Sequence, residues 1–171
     1  VSIGAVQCDL TTGQTGDTFY RVVDLVGQED FGRTINSDTL YWWLAQSDGA
    51  RGALCVPGKS FLADMLVDFQ DWVMSVSNGT PGHIRLWGNG ASFDNAILRS
   101  AYRSCNIDLS IPFWNDRDMR TIVGFFPRQM QAAWKKNNTR TGVYHNPKDD
   151  CLHQIKYCSD ILQELGVKEL Y

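Results

Sequence analysis

Between His83 and Arg103 the spacing of apolar side chains switches from that of a strand to that of a helix, across a glycine-rich loop. His83-Ile84-Arg85-Leu86-Trp87 is apolar at alternate positions and bounded by glycines, which predicts a short strand. Ser92 through Arg103 then predicts a helix with Ile97, Leu98, Ala101 and Tyr102 turned inward. A strand that delivers the chain straight into a helix restricts the fold to an α/β arrangement, since each element must bury its apolar side against the other kind. The same junction puts Asp94 in the first helical turn at the carboxyl end of a strand, where open α/β sheets bind their ligands.

The flanking patterns agree with that class. Val1 to Asp9 reads as a strand, Thr11 to Gly16 as a hairpin connection, and Thr18 to Leu25 as the returning strand. Ser37 and Asp38 offer N-caps for a helix through Leu40, Trp43 and Leu44 that ends before Asp48-Gly49. Trp42 and Trp43 point to different sides of it, so at least one is expected in the core. After Pro57-Gly58, the spacing of Leu62, Leu66, Phe69 and Val73 describes one helix face, stopped by Asn78 to Gly82. Asp116 to Phe125 reads as a helix, and Pro127 to Thr141 as a polar, basic, poorly periodic stretch expected to include a mobile loop. The last helix begins at Pro147, suited to a first-turn position, and runs to about Leu165 before Gly166. These elements predict an α/β domain with a mixed sheet flanked by helices.

The 171 residues suit one domain by the prior of roughly 100–200 residues each. No apolar run approaches the ~20 residues of a membrane span, and Val1-Ser2-Ile3-Gly4 lacks a signal peptide's basic flank, so a soluble, cytoplasmic protein without a membrane partner is expected. Five cysteines, odd in number and without a CxxC pair, read as buried free thiols. The formal charge of −3 argues against a protein that coats nucleic acid electrostatically, but not against a nuclease. Six cations between Arg117 and Arg140 face the single acid Asp118, so that segment alone carries +5.

Two segments concentrate chemistry: Trp87-Gly88-Asn89-Gly90-Ala91-Ser92-Phe93-Asp94-Asn95 and Tyr144-His145-Asn146-Pro147-Lys148-Asp149-Asp150. Each brings acids to the start of a helix, as metal-dependent nucleases do to hold phosphate. A divalent ion bridging carboxylates and a phosphodiester stabilises the charge developing on the attacking and leaving oxygens, and a nearby imidazole takes a proton from the attacking water. Taken singly, Asp94, Asp149 and Asp150 also read as capping acids, and His145 as a hydrogen-bonded loop histidine. Gly88 and Gly90 shift the balance for Asp94, because they permit close backbone approach of a ligand. Phe93 and Trp87 flank that acid and read either as core aromatics beside a sheet or as candidates to stack on a terminal base. Asp116 and Asp118, with Arg117 and Arg120, either brace the site or touch phosphate, or form a surface salt-bridge cluster.

The run Gly88 to Asn95, the segment Phe-Trp-Asn-Asp-Arg-Asp-Met-Arg-Thr at 113–121, and His145 with Asp150 resemble the DnaQ-like (DEDDh) 3′–5′ exonuclease superfamily, of ribonuclease H-like fold. Trp42-Trp43, Gln46-Ser47 and Ala50-Arg51 extend the likeness over nearly the whole chain, closest to the DexA-type enzymes of phages and prophages. The resemblance implies a metal-dependent 3′–5′ exonuclease that releases nucleoside 5′-monophosphates, with two divalent ions, Mg²⁺ or Mn²⁺. It makes Asp94 and Asp150 metal ligands and His145 the general base, so that activity should rise with pH as the imidazole gives up its proton. Trp87, Asn89, Gly90, Phe93 and Arg117 become candidates for substrate binding. The partner it implies is nucleic acid with a free 3′ end, single-stranded DNA first and RNA as the alternative.

One part of the family pattern is missing. The Asp-x-Glu of the first strand should precede Val1, and Asp9 does not replace it, having no Glu two residues on. The expectation is therefore a single exonuclease domain over 1–171 that is N-terminally incomplete, or else a non-catalytic nucleic-acid or protein interaction domain.

Overall fold

A computed structural model describes residues 1–56, 59–137 and 139–170 of the chain, so the expected turn at Pro57-Gly58 lies outside the described residues. The first strand, β1 (Ser2–Asp9), pairs antiparallel with β2 (Gln14–Val22), in register from Ser2 opposite Val22 and with a bulge between Val6 and Cys8. The Asp9 carboxylate closes the connection by accepting the Thr11 amide (2.9 Å) and hydroxyl (2.6 Å), so β2 begins at Gln14, earlier than the threonine pattern suggests.

Helices α1 (Ser37–Leu44) and α2 (Asp48–Leu54) follow, then α3 (Leu62–Val76). The cap of α1 is Asn36, whose side chain accepts the Thr39 amide, in place of the expected Ser37 or Asp38. Asp48-Gly49 does not simply end that helix. Ser47 caps a second one there by accepting the Ala50 amide. The face predicted for α3 is the buried one, with Leu66 and Phe69 almost completely covered.

Strand β3 (Leu86–Gly88) feeds α4 (Asp94–Ser104); of the expected strand, His83 ends the 3₁₀ turn Pro81–His83, and Ile84 and Arg85 lie between the turn and β3. The buried side of α4 runs through Asn95, Leu98, Ala101 and Tyr102, which leaves Ile97 exposed instead of inward. The Asn95 side chain donates to the Leu86 carbonyl (2.9 Å), tying the helix back to the strand that precedes it.

The expected helix over 116–125 divides into β4 (Asp116–Asp118), parallel to β3, and α5 (Met119–Gly124). Most of the poorly periodic stretch expected to include a mobile loop forms α6 (Arg128–Asn137). Its Arg, Gln, Met, Ala and Lys residues are good helix formers even where apolar periodicity is weak. The last helix, α7 (Pro147–Glu164), starts and stops as its sequence predicts.

The strands make two two-stranded sheets, β1–β2 and β3–β4, where one mixed sheet was expected, because β1 and β3 do not pair with each other. They still share the same two cores. Ile3 and Ala5 of β1 and Leu86 of β3 pack on a core formed with α3 and α4, while Val6, Cys8 and Trp87 pack on a second core formed with α5 and α7. Helix α7 packs against β1 at Gly4, whose carbonyl accepts from the Cys151 thiol at 3.6 Å. Among the described residues no helix is long and apolar enough to cross a membrane.

Candidate active site

The turn between β3 and α4 is shaped by a carboxylate from β4. Gly90 has a φ of +116°, and its carbonyl accepts the amides of Phe93 (2.8 Å) and Asp94 (2.9 Å). The two oxygens of Asp118 accept the amides of Gly90 (3.1 Å) and Ala91 (3.0 Å), and one also takes that of Arg120 (2.9 Å). Desolvation opposes ionisation of Asp118, but the amides of Arg120, Ala91 and Gly90 and the Arg120 guanidinium outweigh it and hold its pKa below the usual carboxylate value.

Asp94 is the contrasting neighbour. Its Oδ2 accepts the Asn89 amide (2.8 Å). Desolvation raises its pKa; the Asn89 amide and Arg120 oppose that rise, and the nearby Asp118 charge adds to it. The pair is therefore asymmetric: Asp118 accepts three backbone amides, whereas Asp94 accepts one and retains more capacity for an external cation or water. The glycines beside them accommodate protein groups, contrary to the room for a ligand that the sequence suggests. A Cβ on Gly88 would strike the Asn95 side chain, and one on Gly90 would lie 3.1 Å from the Arg120 guanidinium carbon.

At the start of α7, His145 adopts a φ of +64°, a left-handed conformation in which His, Asn and Asp are enriched. Asn146 caps the helix by accepting the amides of Lys148 (3.1 Å) and Asp149 (3.3 Å). Asp149 turns back to accept the Val143 amide (2.8 Å), a bracing role, while Asp150 is ion-paired with Arg140. The Arg140 guanidinium also lies 4.1 Å from the Tyr144 ring centroid. The His145 ring stands edge-to-face with Trp42 at 4.8 Å and near Trp43 at 6.0 Å.

These contacts bring some of the expected residues together. Burial first, and then the Asp94 charge, push the Cys151 thiol up to about 12, so Asp94 lies within electrostatic reach of the first turn of α7. Phe93 lines an open cavity of about 520 Å³ with Asp38, Thr39, Trp42 and Trp43, and Trp42 in turn touches His145. Among the described residues, no hydrogen bond or ion pair links Asp94, His145 and Asp150 to one another. Trp87 and Arg117, opposite each other in the β3–β4 register, line a different cavity with residues of α5 and α7. Arg117 donates to the carbonyls of Trp114 (2.8 Å) and Asp116 (2.9 Å).

Among the described residues no three His, Cys, Asp or Glu side chains converge as a metal site, so the carboxylate set of a two-ion centre is not assembled by them. A single hydrated Mg²⁺ is less demanding: one or two carboxylates suffice, with waters and substrate phosphate filling its shell. Asp94 fits that role by its desolvation, its incomplete set of donors and the negative charge of Asp118 beside it. Asp150 fits it only once Arg140 is released.

Several contributors escape a reading of the sequence. The bonds from the Gly90 and Ala91 amides to Asp118, the Arg140 partner of Asp150 and the tryptophans around His145 are contacts without a local sequence pattern. Neither Trp42 nor Trp43 enters the core; Trp42 is 46% exposed, and each packs on the other and on His145.

Residues 1–162 match the family model of the 3′-5′ exoribonuclease Rv2179c-like domain. That span takes in both acidic segments and nearly the whole chain, so the chain belongs to this family of 3′–5′ exonucleases, hydrolases that act on nucleic acid. No curated protein and no solved structure matches it.

Proposed function

We propose that this domain hydrolyses RNA from its 3′ end, releasing nucleoside 5′-monophosphates, with Asp94 and His145 at the reacting phosphodiester. The observation that carries the reading is the family match over residues 1–162, which includes both residues. It favours RNA over the single-stranded DNA that the DexA-type resemblance suggests first. The DnaQ-like affiliation and ribonuclease H-like fold belong to the same proposal.

His145 accepts a proton from the attacking water, a role suited to an imidazole fixed in orientation by Trp42 and Trp43. The hydroxyl oxygen bonds to phosphorus, the bond from phosphorus to the 3′ oxygen of the penultimate nucleotide breaks, that oxygen takes a proton from solvent water to become the new 3′ hydroxyl, and the proton held by His145 returns to solvent. Asp94 would hold a divalent ion, with Asp150 joining it, and such an ion supplies a lowered pKa for bound water and compensation of phosphate charge. Asp118 keeps the 89–94 turn in shape without touching substrate.

Paired RNA and DNA oligonucleotides carrying a 3′ label test the reading, each with chelator and with added Mg²⁺ or Mn²⁺. Release of labelled 5′-monophosphate from RNA in a metal-dependent reaction is expected. Preferential cutting of DNA would reassign the substrate, and tight RNA binding without hydrolysis would support an interaction domain instead.

A further inference from the structure

We propose that Arg140 is a built-in counter-ion that neutralises Asp150 in the empty site, gives way there to a divalent ion, moves to the substrate phosphate, and thereby couples metal binding to nucleic-acid binding. This inference rests on the reading of Asp150 as a ligand of that ion. Its physical basis is the burial of one ion pair and the partners its atoms lack.

The Arg140 side chain is 14% exposed and that of Asp150 28%, whereas the surface pair Arg21–Asp68 stands at 48% and 49%. A carboxylate so far withdrawn from water is costly to leave without a cation. Nη2 of Arg140 pairs with Oδ1 of Asp150, and among the described residues neither atom has a further partner, while Nε has none. The guanidinium carbon lies 4.1 Å from the Tyr144 ring centroid, a contact that holds the group by its face and leaves its N–H donors unspent. A guanidinium kept by one carboxylate and one ring, with a donor to spare, can exchange one anion for another, and its planar fork suits phosphate.

The backbone allows that exchange without disturbing the general base. The turn after Arg140 is fastened to α7 by other bonds: Asp149 accepts the Val143 amide (2.8 Å), and the Val143 carbonyl accepts the Asn146 amide (3.2 Å). His145 is held separately by Trp42 and Trp43. The Arg140 side chain can therefore leave Asp150 while His145 stays. Asp150 cannot serve a guanidinium and a divalent ion together, since two cations on one carboxylate repel each other at close range. A phosphate supplies the anion that resolves the conflict, so each binding event removes an obstacle to the other. Linkage makes the coupling reciprocal.

Mn²⁺ affinity of the full chain, read from the electron paramagnetic resonance signal of the free ion, tests this. It is measured with and without a nuclease-resistant oligoribonucleotide, the oligonucleotide alone serving as blank. RNA should tighten Mn²⁺ binding to wild type by about 5- to 150-fold, the usual span of such coupling. Without RNA, Arg140→Gln should bind Mn²⁺ tighter than wild type, and RNA should then add less. Arg140→Lys keeps the charge and should resemble wild type, and adding Asp150→Asn to Arg140→Gln should erase the gain. A merely structural Arg140 predicts the opposite sign, because an Asp150 without its brace would hold the ion less well. The proposal is overturned if Arg140→Gln binds Mn²⁺ no tighter than wild type, if Arg140→Lys gains as much, if the gain survives Asp150→Asn, or if RNA leaves wild-type affinity unchanged. If Arg140→Gln fails to fold, the uncharged Arg140→Met replaces it, and failure of both would make the cation a structural brace and overturn the proposal equally. The readout is binding, so it separates from the exonuclease reading: tightened binding without hydrolysis sinks only that reading, and hydrolysis without tightened binding sinks only the counter-ion.

Discussion

Adding one methyl group at Gly4 should disable the site from a position with no chemistry of its own. Gly4 lies on the face of β1 turned toward α7, where an added Cβ would stand 2.5 Å from the Lys148 nitrogen, 2.7 Å from the Pro147 carbonyl carbon and 3.0 Å from the Lys148 Cα. Ordinary contact begins at 3.4 Å, so the first turn of α7 must retreat by about 0.9 Å, the difference between 3.4 and 2.5 Å. The obstructing atoms are backbone and cannot swing aside as a side chain does. Overpacking of this kind costs about 1–3 kcal/mol. The same turn carries Asp150 and follows His145, and a misplacement of ~1 Å at a reacting centre can cost about 100-fold in rate. Urea denaturation and turnover of 3′-labelled RNA would measure both effects in Gly4→Ala. The matched control is Gly52→Ala in α2, which has no atom within 4 Å to meet. There the helix should gain about 0.5–1 kcal/mol with turnover unchanged. A Gly4→Ala protein as stable and as active as wild type would refute the idea that β1 sets the position of α7.

Asp118→Ala should cost about 1–3 kcal/mol and most activity, since it strips the Gly90, Ala91 and Arg120 amides of their acceptor; retained activity would show that the turn holds itself. Because the Asp118 pKa is lowered on folding, its stabilisation is present above the ordinary carboxylate value of 3.8 and is lost as pH falls through the folded value. Asp118→Asn should therefore flatten the acid limb of a denaturation profile, and an unchanged limb would contradict this. Asp94 has the opposite sign: its raised pKa makes folding less favourable as pH rises from 3.8 through the folded value. Asp94→Asn should thus lose metal-dependent turnover while being no less stable than wild type at pH 7, and a clear loss of stability there would count against this account.

The elements that were legible in the sequence are those whose burial leaves a period. Leu62, Leu66, Phe69 and Val73 announced α3, and Pro147 with Gly166 framed α7. Strand β4 was not legible, because Asp-Arg-Asp has no apolar alternation and owes its place to pairing with β3 and to the Arg99–Asp116 bonds (2.7 Å each). Helix α6 was hidden by the opposite error, reading charge as a loop when its residues favour helix. At the site, Asp94 and His145 stood out because glycines and a helix start surround them. Asp118, 28 and 27 residues from the Gly90 and Ala91 amides it binds, and Arg140 on Asp150 depend on contacts that no local spacing encodes.

The most direct measurement is the single-turnover rate of His145→Ala on 3′-labelled RNA, with affinity for the same RNA measured alongside. Loss of a general base predicts a rate lower by about 10²- to 10⁴-fold, with RNA still bound. A variant that cuts RNA at the wild-type rate would remove the imidazole from the chemistry and contradict the account.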